Sequence, residues 1–150
     1  MSWKRTGLFF KAERAQLPVV SYVDDEFLVT FSSRDEQGRS LGNMFTLDFE
    51  VEKPVWSKFE AKIIEPGEPG STDRSGCMPM QIINNKLYYI GWTLRKDVPY
   101  FNYCSVAEMV GRTITKLGPI LAPDIIDNSF SGTLCVFKNA DLNCYIGYYL

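Results

Sequence analysis

Short runs of β-branched and aromatic residues, separated by polar pairs, dominate the chain. "VVSYVDDEFLVTFSS" (19–33) reads as two extended runs joined at Asp24-Asp25, a polar pair suited to a tight hairpin turn. "MPMQIINNKLYYIGW" (78–92) repeats the plan about Asn84-Asn85. "TLCVFKNADLNCYIGYYL" (133–150) repeats it again, with a turn around Lys138–Asp141. In each copy a β-rich run, a turn carrying Asp or Asn, and an aromatic-rich return strand follow in order. Pro18 and Pro79, near the starts of the first two copies, lie 61 residues apart, and the third copy starts near Thr133, 54 residues further on.

That spacing is too long for a simple hairpin repeat and leaves room for two more strands after each hairpin. "GNMFTLDFEV" (42–51) and "SKFEAKIIEP" (57–66) supply them in the first unit, "YFNYCSVAEM" (100–109) and "RTITKLGPIL" (112–121) in the second. Pro66, Gly67, Pro69 and Gly70 mark the exit of the first unit, and Pro119 and Pro123 bracket the exit of the second. "CSVAEMVG" (104–111) is the best helix candidate, but it is short and carries two valines. Repeating four-stranded units are what propeller blades are. The expected architecture is all-β, a partial five-bladed β-propeller of about two and a half blades. Its boundaries are about 17–66, 78–121 and 132–150, within one incomplete domain. A β-sandwich accounts for many short strands equally well, and the inexact repeat favours blades. A half-built third unit leaves Tyr148, Tyr149 and Leu150 as an apolar edge, which a second chain completing the ring as a homodimer would cover.

Composition narrows the chemistry. Sixteen basic against eighteen acidic residues leave a net charge of −2, which offers no long-range attraction for nucleic acid or acidic lipid. No run reaches the roughly eighteen apolar residues a membrane helix requires. "MSWKRTGLFFKAERAQ" lacks the long apolar region of a signal peptide, so a cytoplasmic location is expected. Histidine is absent, which removes Ser-His-Asp and Cys-His nucleophiles. The four cysteines (Cys77, Cys104, Cys135, Cys144) form no CxxC pair. No metal or other cofactor is expected, and buried reduced thiols are. A four-residue third turn sets Cys135 and Cys144 opposite one another as reduced core residues.

Acid–base work therefore falls to carboxylates, Tyr, Lys or Cys. "FSSRDEQGRS" (31–40) is either a solvated turn around Gly38 or a polar site where Arg34 and Arg39 present guanidinium forks oriented by Asp35. In "GSTDRSGCMPM" (70–80), Asp73, followed by Arg74, either caps local amides or serves as a carboxylate near a sugar's anomeric centre. Glycoside hydrolysis takes two carboxyl groups about 5–9 Å apart. Glu13, Asp24, Asp35, Asp124 and Asp127 are all available as the second. In "YIGWTLRKDVPYFNYCS" (89–105), Trp92, Tyr100, Tyr103 and Asn102 either form a sugar-stacking face or pack between blades. "DIIDNSFSGTL" (124–134) places Asp124, Asp127 and Asn128 ahead of the third hairpin, as Asp73 stands ahead of the second.

The chain resembles glycosidase-like five-bladed β-propeller proteins related to glycoside hydrolase families 32, 43 and 68. The likeness is carried by "WKRTGLFF" (3–10), "AQLP" (15–18), "FSSRDEQGRS", "DRSGCMP" (73–79), "LYYIGWTLRKDVPYFN" (87–102) and "GPIL" (118–121). Where that branch commonly has a serine–histidine pair, this chain has Glu13-Arg14. The resemblance implies a saccharide ligand bound in a funnel. Asp73 and Asp127 would be the catalytic carboxylates, with Arg34, Asp35, Arg39, Arg74, Trp92 and Asn102 contacting the sugar. A non-catalytic carbohydrate-binding or assembly module is the alternative.

Overall fold

The computed structural model describes residues 13–48, 55–57, 62–95, 101–111, 113–122 and 135–148. Eleven strands run through them, and no helix occurs among the described residues. The first unit holds β1 (Gln16–Val23), β2 (Glu26–Arg34) and β3 (Ser40–Asp48) as an antiparallel meander. Two three-residue strands, β4 (Val55–Ser57) and β5 (Lys62–Ile64), both pair with β3. Of the fourth strand expected over 57–66, Ser57 lies in β4 and Lys62–Ile64 form β5, while residues 58–61 lie outside the described residues. The second unit is a four-stranded meander of β6 (Gly76–Ile83), β7 (Lys86–Thr93), β8 (Phe101–Val110) and β9 (Thr113–Leu121). A parallel pairing at Ser40 and Gly76 joins the units into one mixed nine-stranded sheet. The third hairpin, β10 (Cys135–Asn139) and β11 (Cys144–Tyr148), forms a sheet of its own.

The turns follow from side-chain chemistry. Asp24 and Asp25 have φ of 50° and 63°, and Asn84 and Asn85 have 47° and 57°. Two successive left-handed residues match the twist of the flanking strands, and Asp and Asn tolerate that conformation best after glycine. In the third hairpin the Leu142 amide donates to Asn139 Oδ1 (2.9 Å), and Asn143 takes the left-handed position (φ 48°).

Bulges then decide how the units pack. The register of β6 slips between Pro79 and Ile82, which turns backbone groups of Met80 and Ile82 toward the first unit. Thr30 Oγ1 donates to the Met80 carbonyl (2.8 Å), and the Ile82 amide donates to Ser21 Oγ (3.0 Å). Those groups would otherwise be costly to bury. The neighbouring Gln81 accepts from the Val136 amide through Oε1 (3.1 Å), so one bulge fastens the second unit to both neighbours. The apolar core lies between these layers. Val23, Leu28 and Met44 meet Ile82, Leu87, Tyr89 and Met109 between the units, and Val136 meets Cys104, Ile83, Tyr88 and Leu121 beneath the hairpin.

The strand expected over 100–109 is β8, with Val106 opposite Tyr88 of β7 and Val110 opposite Thr113 of β9, and the helix candidate at 104–111 falls within it. Two sequence expectations change here. Pro119 lies inside β9, opposite Ser105, instead of at an exit; β9 is an edge strand with register shifts, where a missing N–H is tolerated. Pro123 falls outside the described residues. Cys135 pairs with Tyr148 and Cys144 with Asn139, because the four-residue turn starts after Asn139, so the two thiols are not opposite one another. Both are exposed, whereas Cys77 and Cys104 are fully buried. Alkylation of the folded protein is expected to modify Cys135 and Cys144 quickly and Cys77 and Cys104 only on unfolding. Peptide mapping after timed labelling checks this.

Candidate functional site

The charged segment after β2 is a loop built on its own acid. Asp35 Oδ1 accepts from the amides of Gln37 (3.0 Å) and Arg39 (2.7 Å), and Oδ2 accepts from Arg39 Nε (2.8 Å). The Gly38 amide closes on the Asp35 carbonyl, with Gly38 itself at φ 79°. Burial works against the charge. The Arg39 side chain and amide together with the Gln37 amide outweigh it and hold the Asp35 carboxyl below the usual carboxylate range. Asp35 and Arg39 thus shape the loop. Arg34 is left beside it, Nη1 donating to the Gly38 carbonyl (3.1 Å) and the guanidinium 5.5 Å from the Trp92 ring centroid.

Strand register extends this corner across the molecule. Arg34 pairs with Ser40, Ser40 with Gly76, Gly76 with Trp92 and Trp92 with Asn102. Three of the expected ligand-contacting residues therefore lie in one row at one end of the nine-stranded sheet. Two of them, Trp92 and Asn102, are buried, at 8% and 5% exposure. Trp92 donates from Nε1 to Ser40 Oγ (3.1 Å) and carries Arg34 on its ring, so it supports the row from behind. Gly76 is required here, since a Cβ at that position would lie 2.5 Å from the Ser40 nitrogen. At the far end of the row Arg95 covers Phe101 (3.7 Å to the centroid) and donates to the Tyr103 hydroxyl (2.9 Å). Where the row meets the start of β1, a concavity of about 520 Å³ is lined by Glu13, Arg14, Ser33, Arg34, Asp35 and Glu36.

Asp73 sits elsewhere. Its carboxylate is buried against the second unit, and Oδ2 receives Lys116 Nζ at 2.6 Å, Cys77 Sγ at 3.3 Å and the Tyr89 hydroxyl at 3.4 Å. Ser71 Oγ donates to Oδ1 (2.9 Å), and Lys116 also reaches the Glu65 carbonyl. Burial alone would raise the Asp73 pKa. The Lys116 ammonium, helped by Ser71 and Cys77, lowers it instead. Burial first, then the Asp73 charge, pushes the Cys77 thiol and the Tyr89 phenol well above their ordinary ranges, keeping both neutral. The Ser105 hydroxyl beside them is fully buried. Such a site holds an ionised carboxylate in place and ties the 65–76 loop to β9.

Arg74, next to Asp73, is exposed. Asp124 and Asp127, the other expected acids, lie outside the described residues. Sequence reasoning missed Lys116, Tyr89 and Cys77 as the partners of Asp73, and Arg14, Ser33 and Glu36 as lining of the concavity. One signal was available: Lys116 is the single charged residue of the β-favouring run "TITKLG", and a lysine drawn into a strand's packing needs a partner.

No family model matches the chain, and no solved structure matches it. It is similar to two uncharacterized proteins of Mycobacterium tuberculosis, MT1551 of strain CDC 1551 / Oshkosh and Rv1502 of strain ATCC 25618 / H37Rv. Each is 31% identical over 120 residues, covering 71% of this chain and 40% of the relative. The chain thus spans about two-fifths of the length of the curated relatives it matches.

Proposed function

We propose that the chain is a saccharide-binding β-repeat protein of the glycosidase-like propeller type, with the ligand seated in the concavity beside Arg34. The packing of the second meander against the first and of the third hairpin against the second supports the repeat part of this reading. The observation that carries the functional reading is the lining itself: Arg14 and Arg34 offer forked donors, Glu13 and Glu36 offer acceptors, and Ser33 adds a hydroxyl within the same 520 Å³. Neighbouring sugar hydroxyls both donate and accept, so a near-balanced set of guanidinium and carboxylate groups suits them better than it suits a simple anion. Arg34 is held by the Trp92 ring and the Gly38 carbonyl, so little side-chain freedom is lost when it engages a ligand.

Binding is favoured over turnover. Asp73 is committed to Lys116 beneath the sheet, and both oxygens of Asp35 are committed to its own loop. Neither is available as a proton donor to a glycosidic oxygen, a role that calls for a carboxyl with a raised pKa.

Titration of isotope-labelled protein with neutral hexoses, uronic acids and short oligosaccharides tests the reading. Resonances of residues 33–39 are expected to shift, and Arg34→Ala is expected to weaken binding by about tenfold or more while leaving the thermal midpoint nearly unchanged. A panel in which no saccharide moves those resonances overturns it.

A further inference from the structure

The turn end of the two meanders carries a second cavity, at the opposite end of β2 from Arg34. Its volume is about 300 Å³, and Val23, Leu28, Met44 and Met109 form its floor. Three of these belong to the first unit and Met109 to the second, so the cavity lies at the mouth of the core between the two layers. All four are only 1–9% exposed, so the floor is reached through a narrow opening that suits an unbranched chain better than a ring. Gly111, just after β8, lines the remaining side at φ 58°, and a Cβ there would meet nothing within 4 Å.

The rim is anionic. Asp24 and Glu26 complete the lining, and both are exposed. Neither side chain takes part in a hydrogen bond or ion pair among the described residues. Their acidic neighbours at this end are already committed: Asp25 accepts from the Tyr22 hydroxyl (3.0 Å), and Glu108 holds Lys86 (2.9 Å). The five arginines among the described residues lie at the other end of the sheet, before β1, β3 and β6, at the end of β2 and after β7. Two unneutralised carboxylates above an apolar floor call for the opposite pattern in a ligand, a positive head on an apolar body. The lining holds no aromatic ring, so a quaternary ammonium would find no face to lie on. A primary ammonium instead has three donors for the two carboxylates, and the methionine thioethers adapt to a flexible chain.

We propose that this cavity binds a small primary amine with an unbranched alkyl body. The ammonium sits between Asp24 and Glu26, and the chain lies over Met44 and Met109. A volume of about 300 Å³ is the lower end of the range for small-molecule sites, which keeps the body short. The inference does not depend on what occupies the concavity beside Arg34.

Titration of isotope-labelled protein with butyl-, pentyl- and hexylammonium tests it. The methyl resonances of Met44 and Met109 and the amides of residues 23–28 are expected to move and to saturate. Affinity should rise about fourfold for each added methylene. Hexanol, of the same length without charge, should bind several-fold more weakly, and hexanoate more weakly still. Asp24→Asn and Glu26→Gln should each weaken hexylammonium by about two- to fivefold, the range of one exposed ion pair, and leave hexanol unchanged. Asn keeps the left-handed backbone of residue 24 (φ 50°), and circular dichroism checks that both variants fold. Hexanol binding as tightly as hexylammonium overturns the proposal, because the carboxylates would then recognise nothing. So does hexylammonium that leaves both methyl signals unmoved. A short lysine peptide binding more tightly than hexylammonium also overturns it, by making the cavity the docking point of a basic protein.

Discussion

Lys116→Met is expected to destabilise the protein by about 3 kcal/mol, the loss typical of stripping one partner from a buried ion pair. The asymmetry of the pair predicts which deletion is worse. The Asp73 side chain is 6% exposed and cannot reach water, whereas that of Lys116 is 30% exposed and can turn its ammonium outward. Lys116→Met leaves a carboxylate buried with only Ser71, Cys77 and Tyr89 as donors. Asp73→Asn leaves a neutral acceptor and a lysine free to solvate, and should cost about 1–2 kcal/mol. The double variant should cost less than the two singles added, because its second change removes a group already unpaired. Denaturant midpoints of the three proteins decide the matter. A Lys116→Met loss within the usual ±0.5 kcal/mol of a surface substitution would show that the pair is not buried as described.

The same pair sets the acid limb of stability. The folded pKa of Asp73 is depressed, so its contribution is present above the ordinary carboxylate value and is lost as pH falls through the folded value. Melting midpoints of the parent should decline below about pH 4 more steeply than those of Asp73→Asn. Cys77 and Tyr89 act at the other limb with the opposite sign. Their folded pKa values are raised, so the unfolded chain ionises first and stability falls as pH climbs past the ordinary thiol and phenol ranges.

The hairpins were legible in the sequence because their turns are fixed locally. Asp-Asp and Asn-Asn between β-rich runs need only the left-handed tolerance of those side chains, and both turns lie where the pairs predict. Pairings that depend on distant residues were not legible. The row from Arg34 to Asn102 exists because Ser40 meets Gly76 in parallel, a contact between segments 36 residues apart that no local pattern announces. Trp92 shows the consequence. An exposed stacking platform and a buried support use the same residue, and the Ser40 hydroxyl with the Arg34 guanidinium sets Trp92 as the support. Asp73 was singled out for being acidic, but its chemistry is set by Lys116, 43 residues away on an edge strand. The bulge between Pro79 and Ile82 is likewise tied to the first unit through Thr30 and Ser21, a contact that apolar runs in sequence do not specify.

Gly76→Ala is the substitution expected to damage the Arg34–Asn102 row most, at about 3 kcal/mol, the upper part of the overpacking range. A Cβ there would meet Trp92 Nε1 at 2.4 Å, the Ser40 nitrogen at 2.5 Å and Ser40 Cβ at 2.6 Å. The Ser40 atoms belong to a paired strand whose amide accepts no easy retreat, since it donates to the Ser75 carbonyl at 3.3 Å. The added methyl therefore displaces the Trp92 indole, breaks its bond to Ser40 Oγ and removes the surface on which Arg34 lies. Gly38→Ala is the matched control. Its Cβ would meet nothing within 4 Å, leaving only the strain of φ 79°, about 1–2 kcal/mol. Thermal melts should separate the two variants, and the Trp92 indole N–H resonance should move in Gly76→Ala and stay in place in Gly38→Ala. Equal losses in both, with the indole signal unmoved, would mean that the parallel contact between Ser40 and Gly76 does not set the row, and Arg34 would then owe its position to its own loop alone.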